Sequence, residues 1–335
     1  MRVSDLILRY KSRLKENLFF QNVAVVAGGN TTAKLIALFT APIITRLYTP
    51  ADYGVFSTLI AVTGIAGSLA TLRYAITIPL AKEENLALNL LKLSFLITFS
   101  LTILWIPGIL FFGESLAIRF SVEKIIPYLW VLPIVFLGQG LYESLSNWAV
   151  RERKFRLISR TKITQDATAA TFKIGLGTLG VKPLGLFVGH IALEFVGIGS
   201  LFSRLIKKKP DFLKVFSWKG VKYAAIRYKD FPLFQSWSQL LLSLGANLPV
   251  IFMGALFGVK VVGVYGLAQN MINMPMNLVG QSVSQVYYGE ISKYGKDNPE
   301  KIYRLSLSIT TKMFWIALVP LALIGLFGPW VFKIV

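Results

Sequence analysis

Lys34 sits in the run GGNTTAKLIALFTAP (28–42), with apolar sequence on either side. A cation at the centre of a membrane-spanning helix costs about 2.5–3.5 kcal/mol on insertion scales, so a retained one is a functional candidate by default. Arg73, Glu143, Asp166, Lys173, His190 and Glu194 lie in similarly apolar surroundings. Asp166 and Lys173 are seven apart and so share a helix face. The acids either pair with these cations or bind a coupling ion, H⁺ or Na⁺, with Glu143, Asp166 and Glu194 as the candidates. A different chemistry runs along 270–285. Asn270, Asn273, Asn277, Gln281 and Gln285 are spaced 3, 4, 4 and 4, one helical stripe, and Gln235, Gln239 and Asn247 do something similar in the preceding segment. Amides both donate and accept hydrogen bonds, which suits a cavity wall facing hydroxyl-rich ligands. Their plainer use is to hold helices together.

Such residues need spanning elements to position them. Of the 335 residues, 54% are hydrophobic and the mean hydropathy is +0.60, which soluble domains do not sustain. A spanning helix takes about 20 mostly apolar residues. Nine stretches qualify: 19–47, 54–80, 90–112, 125–150, 162–181, 184–206, 231–258, 261–288 and 305–332. The expected fold class is therefore an all-α integral membrane protein, a polytopic helical bundle. Residues 1–17 are basic and amphipathic and read as a helix on the membrane surface.

Charge sets the topology. The net charge is +20, and basic residues fall in alternate loops, 28 against 5 in the loops between them. Positive-inside bias then places the amino terminus and the 207–230 connector in the cytoplasm. Attraction to anionic membrane lipids accounts for these basic runs better than nucleic acid does. The absence of cysteine removes disulfides and thiolate chemistry. GLGTLG (175–180) closes a membrane helix instead of joining a strand to a helix, so it is no dinucleotide fingerprint. His190 and Glu194 are one turn apart but lack the further ligands a metal needs. No Walker motif or nucleophile elbow is present, and neither cofactor nor metal is expected.

The chain divides at KKKPDFLKVFSWKGVKYAAIRYKD (207–230), a basic connector with interleaved aromatics. A first lobe of six helices (18–206) precedes it and three helices (231–335) come after it. At an offset of 209 residues YTPADYGVF (48–56) lies over FGVKVVGVY (257–265), matching Gly54 to Gly263 and Val55 to Val264. Parallel repeats of this kind recur in secondary transporters, with substrate between the halves. A second lobe equal to the first is expected to need about three more spans, roughly 100 residues.

The stretch 22–82, above all ITRLYTPADYGVF, together with ERKFRLIS (152–159) and GLGTLGVKPLGLFVG (175–189), resembles the oligosaccharide flippase family of the multidrug/oligosaccharidyl-lipid/polysaccharide (MOP) exporter superfamily. That resemblance implies two lobes around a central cavity, here with the second lobe incomplete. It also implies movement of undecaprenyl-pyrophosphate-linked oligosaccharide from the inner to the outer leaflet of the bacterial cytoplasmic membrane, for O-antigen, capsule or exopolysaccharide assembly by a polysaccharide polymerase. On this reading Lys34, Arg73 and Lys173 meet the pyrophosphate, and the amide stripe with Gln239 meets the sugars. The alternatives are a cation-coupled multidrug exporter, a peptidoglycan-precursor flippase of the same superfamily, and a membrane-embedded glycosyltransferase or polymerase. Drug exporters need acidic sites for cationic substrates, and the enzymes commonly carry a large extramembrane loop. This sequence has a net basic interior and short outer loops.

The topology is directly testable. Single cysteines at Ser12 and Ser217 are expected to be shielded from a membrane-impermeant thiol reagent in intact cells; labelling of both would reverse the orientation.

Overall fold

The computed structural model describes residues 28–120, 122–212 and 217–269, with isolated positions between 300 and 318. The 1–17 segment and Asn270, Asn273, Asn277, Gln281 and Gln285 lie outside the described residues. Every regular element within them is helical. The first helix, α1, covers 28–47. Next come α2 (Pro50–Gly67), α3 (Glu84–Arg119), α4 (Val131–Arg151), α5 (Phe155–Thr178), α6 (Leu184–Phe195), α7 (Ile198–Lys208), α8 (Trp218–Arg227) and α9 (Ser236–Phe257). A further helix, α10, covers 259–269. Three segments among the described residues are long and apolar enough to cross a membrane: Glu84–Arg119, Leu184–Lys208 and Phe231–Phe257.

The YTPADYG motif explains how α1 hands over to α2. The Thr49 hydroxyl accepts from the Asp52 amide (3.2 Å), and the Asp52 carboxylate accepts from the Thr49 amide (2.9 Å), a capping box with Pro50 opening the helix. Such a cap contributes about 1 kcal/mol. Tyr48 donates its hydroxyl proton to the Lys173 carbonyl (2.6 Å), tying this corner to α5.

Two expected helices end early. The 54–80 stretch is α-helical only to Gly67; it continues in tight turns, Leu69, Ala70 and Leu72 each bonding three residues back, and goes left-handed at Leu72 (φ 44°) and Arg73 (φ 61°). A 3₁₀ helix, Ala75–Leu80, comes next, and the Arg151 guanidinium donates to the carbonyls of Ile78, Ala81 and Lys82. The 184–206 stretch breaks at Val196–Gly197, where Gly197 adopts φ 99°, a conformation that costs glycine little.

Apolar side chains collect in two clusters at opposite ends of the lobe. Ile78, Leu91, Leu145, Trp148, Leu201 and Leu205 belong to the one at the basic end. Tyr53, Leu59, Val131, Val135, Leu186 and Phe187 belong to the other. Along α4 the order is Val135, Gln139, Leu145; along α6 and α7 it is Phe187, His190, Glu194, Leu201. A polar layer therefore lies between two apolar ones.

The two halves of the chain meet where α2 crosses α9 and α10. A Cβ on Gly54 would lie 1.8 Å from the Val259 carbonyl oxygen, and one on Gly263 would lie 1.9 Å from that of Pro50. One on Gly266 would lie 2.9 Å from the Ser57 Cβ. Pro50 and Val259, Gly54 and Gly263, and Ser57 and Gly266 are each 209 residues apart. The contacts are thus reciprocal: each helix rests its glycine on the residue equivalent to the one its partner uses, and Ser57 meets its own counterpart. This is the pattern a local two-fold axis produces, at the same offset that relates the two sequence segments.

The native chain has no cysteine, so this crossing can be tested cleanly. Ser57→Cys with Gly266→Cys is expected to form a disulfide on mild oxidation, the Cβ atoms needing to open only to about 3.5–4.5 Å. Adding Gly54→Leu, which overpacks the crossing at about 1–3 kcal/mol, should abolish it. Undiminished cross-linking in the triple variant would show that the glycine contact does not set the approach.

Candidate functional site

The polar layer is built on α1, α4, α5 and α6. Helix α5 carries Lys162, Asp166 and Lys173 along one stripe, four and seven residues apart. Asp166 lies within electrostatic reach of Lys34 on α1 and of both these lysines. Lys162 interacts with Glu194, Asp166 and Lys34, and Lys173 with Asp166 and Lys34. Three lysines thus accompany two carboxylates, a formal charge of +1.

Aromatic rings hold the ammonium groups. Lys173 Nζ lies 5.2 Å from the centre of the Phe56 ring, and His190 meets the same ring edge-on at 5.9 Å. Lys162 Nζ lies 4.5 Å from the centre of the Tyr142 ring, whose hydroxyl bonds Thr161 Oγ1 (2.9 Å). Cation–π contacts of this kind contribute about 0.5–2 kcal/mol. Among the described residues no hydrogen bond or ion pair within 4 Å engages the ammonium of Lys34, Lys162 or Lys173. Each keeps donors available to an anion.

Glu194 is more closely held. Its Oε1 lies 3.9 Å from His190 Nε2 and accepts from Gln139 Nε2 at 3.5 Å. Arg73 and Glu143 form a separate pair, at 3.7 Å between Nη1 and Oε1, with Thr71 donating to the other carboxylate oxygen (3.0 Å). Arg73 Nε is buried and has no hydrogen-bond partner among the described residues.

Of the residues expected from sequence, Lys34, Lys173, Asp166, Glu194 and His190 are brought together. Arg73 and Glu143 are brought to each other. Gln239 is half-buried on α9, and Asn247, on the same helix, turns towards Gly64 of α2 while donating to the Ser243 carbonyl (2.9 Å). In the sequence Lys162 falls at the end of the basic run 151–162 and reads as a loop charge; the structure puts it inside α5, facing the cluster. Its spacing of four from Asp166 and eleven from Lys173 is the signal that links it to them. Gln139, beside Glu194, has no such signal.

The sequence pattern of the polysaccharide biosynthesis protein family matches residues 43–328. The teichuronic acid biosynthesis protein TuaB of Bacillus subtilis is 24% identical over 204 residues, 61% of this chain. The chain spans 41% of the length of that relative. A solved structure of a multidrug resistance MATE family transporter of the MOP superfamily, in an inward-facing conformation, superposes over 94% of this chain and 72% of its own, with a TM-score of 0.62 and 20% identity.

If Asp166 is the shared counter-charge, its loss must be felt by the lysines. Asp166→Asn is expected to destabilise the detergent-solubilised protein by about 1–3 kcal/mol, and Lys162→Met in the same chain to restore part of it, a coupling of about 0.5–3 kcal/mol. Thermal unfolding of the two single variants and the double variant measures this; strictly additive effects would mean the residues do not share a site.

Proposed function

Because the chain belongs to the polysaccharide biosynthesis protein family and has the fold of a MOP superfamily transporter, we propose that it is a flippase. Its substrate on this reading is an undecaprenyl-pyrophosphate-linked oligosaccharide, carried from the inner to the outer leaflet of the bacterial cytoplasmic membrane. The basic end of the helices faces the cytoplasm, and the polymerase machinery for O-antigen, capsule or exopolysaccharide takes up the product outside. The domains are a first lobe (18–206), the 207–230 connector and the opening helices of a second lobe (231–335).

The observation that carries this reading is the cluster of Lys34, Lys162 and Lys173, whose ammonium groups have no acidic partner within 4 Å among the described residues. A pyrophosphate offers several anionic oxygens, and a hydrogen bond to a charged group contributes about 1.5–3 kcal/mol, similar to the cost of inserting a lysine. Lys34 and Lys173 bind the pyrophosphate in this scheme, with Lys162 beside them. Arg73, held at the basic end by Glu143, meets the headgroup on entry. The amide residues, Gln239 among them, face the sugars, while the polyprenyl chain stays in lipid. Asp166 and Glu194 either balance the lysines when no substrate is bound or take up H⁺ or Na⁺ during the return step. A cation-coupled drug exporter is the second reading, favoured by the MATE-like fold and opposed by the net positive charge of the cluster.

Lys34→Ala, Lys173→Ala and Arg73→Ala, each in a complete chain, are expected to lower flipping of lipid-linked oligosaccharide in reconstituted vesicles at least tenfold, each lost charged bond being worth about 1.5–3 kcal/mol, with membrane abundance unchanged. Wild-type flipping in all three would sink the pyrophosphate assignment. Undiminished export of a cationic drug, with no movement of the oligosaccharide, would favour the second reading.

A further inference from the structure

The connector is more than a tether. Helix α8 is fastened to the first lobe along one face: Val221 and Ala224 are buried with Leu90 and Leu91 of α3, and the Tyr74 hydroxyl donates to the Ala225 carbonyl (3.0 Å). Gly220 lies directly against the Asn89 side chain, and Ser217 caps the helix by accepting from the Gly220 amide. Just before α8, Lys209 pairs with Glu84, and Phe212 packs edge-on against Phe95.

The opposite face carries Trp218, Tyr223 and Ile226, each about 60% exposed, together with exposed Lys219, Lys222 and Arg227. From 217 to 229 there is no acidic residue. Helix α3 fixes the depth of this face. Its large exposed apolar side chains begin at Leu96 and end at Ile118, a band about 33 Å long at 1.5 Å per residue, close to the hydrocarbon thickness of about 30 Å. Asn89, where α8 packs, lies seven residues before that band, about 10 Å along the helix and so at headgroup level.

We infer that the outward face of α8 is a docking surface for anionic phospholipid headgroups. Trp218, Tyr223 and Ile226 enter the interfacial region, while Lys219, Lys222 and Arg227 select lipids with negative headgroups. Aromatic side chains at this depth favour the interface, and clustered cations beside them favour anionic lipid. The rigid attachment to α3 presents the face to the bilayer with little ordering still to be done. This surface is separate from the lysine cluster, and a chain that transports nothing would still display it.

The test uses the full chain in bilayer nanodiscs containing phosphatidylglycerol and phosphatidylcholine, with either one or the other lipid brominated in its acyl chains at the same mole fraction. The chain has seven tryptophans, so the Trp218 share of quenching is the difference between the native chain and Trp218→Phe. Brominated phosphatidylglycerol is expected to quench that share several-fold more effectively than brominated phosphatidylcholine, one Lys or Arg near the surface being worth roughly a fivefold preference. Lys219→Gln, Lys222→Gln and Arg227→Gln together should remove the preference while leaving quenching by phosphatidylcholine and the unfolding temperature unchanged. Equal quenching by the two lipids in the native chain, or a preference surviving the triple substitution, would overturn the charge selection. Absence of quenching by either would overturn the membrane placement and point to another protein segment or solvent over α8.

Discussion

The arrangement of α1, α4, α5 and α6 rests on one electrostatic constraint: charge held away from water needs opposite charge within electrostatic reach. Asp166 meets it for three lysines on two helices. Lys162 also lies in reach of Glu194, while Lys34 repels both Lys162 and Lys173, so part of the positive charge stays unmatched. The aromatic rings of Phe56 and Tyr142 take part of the load without consuming hydrogen-bond donors. The result is a charged layer with a formal excess of one positive charge, whose ammonium groups keep donors open to an anion. Buried pairs with ideal geometry would have been tighter and chemically inert.

The apolar clusters on either side of this layer make the arrangement possible. They bind α4 to α3, α7 and the 3₁₀ helix at one end and to α2 and α6 at the other, so the polar residues between them are fixed by packing they do not share. The capping box at Thr49 and the Tyr48 hydrogen bond serve the same purpose, holding the α1–α2 corner against α5 beside Lys173.

The contact between the halves is of a different kind. At the α2–α10 crossing, glycines meet backbone carbonyls, and beside them Ala61 of α2 is buried with Val250 and Val262. The junction thus joins small residues in reciprocal register with a modest apolar cluster.

Composition and periodicity were enough to define an all-α membrane protein, its apolar stretches and the charges that must be compensated. The offset of 209 was legible too, because each half uses the same glycine at the same place in its turn. Which charges share a site was not legible; it depends on how the helices pack. Lys162 belongs with Asp166 because α5 starts at Phe155 and not at residue 162, which brings that lysine inside the helix instead of at its mouth. Arg73 is turned to Glu143 because the chain goes left-handed at Leu72, a choice that hydropathy cannot register. The break at Gly197 and the docking of α8 on α3 were equally hidden. Periodicity reports how often a side chain is buried along one helix, whereas the identity of its neighbour depends on the position of another helix distant in the chain.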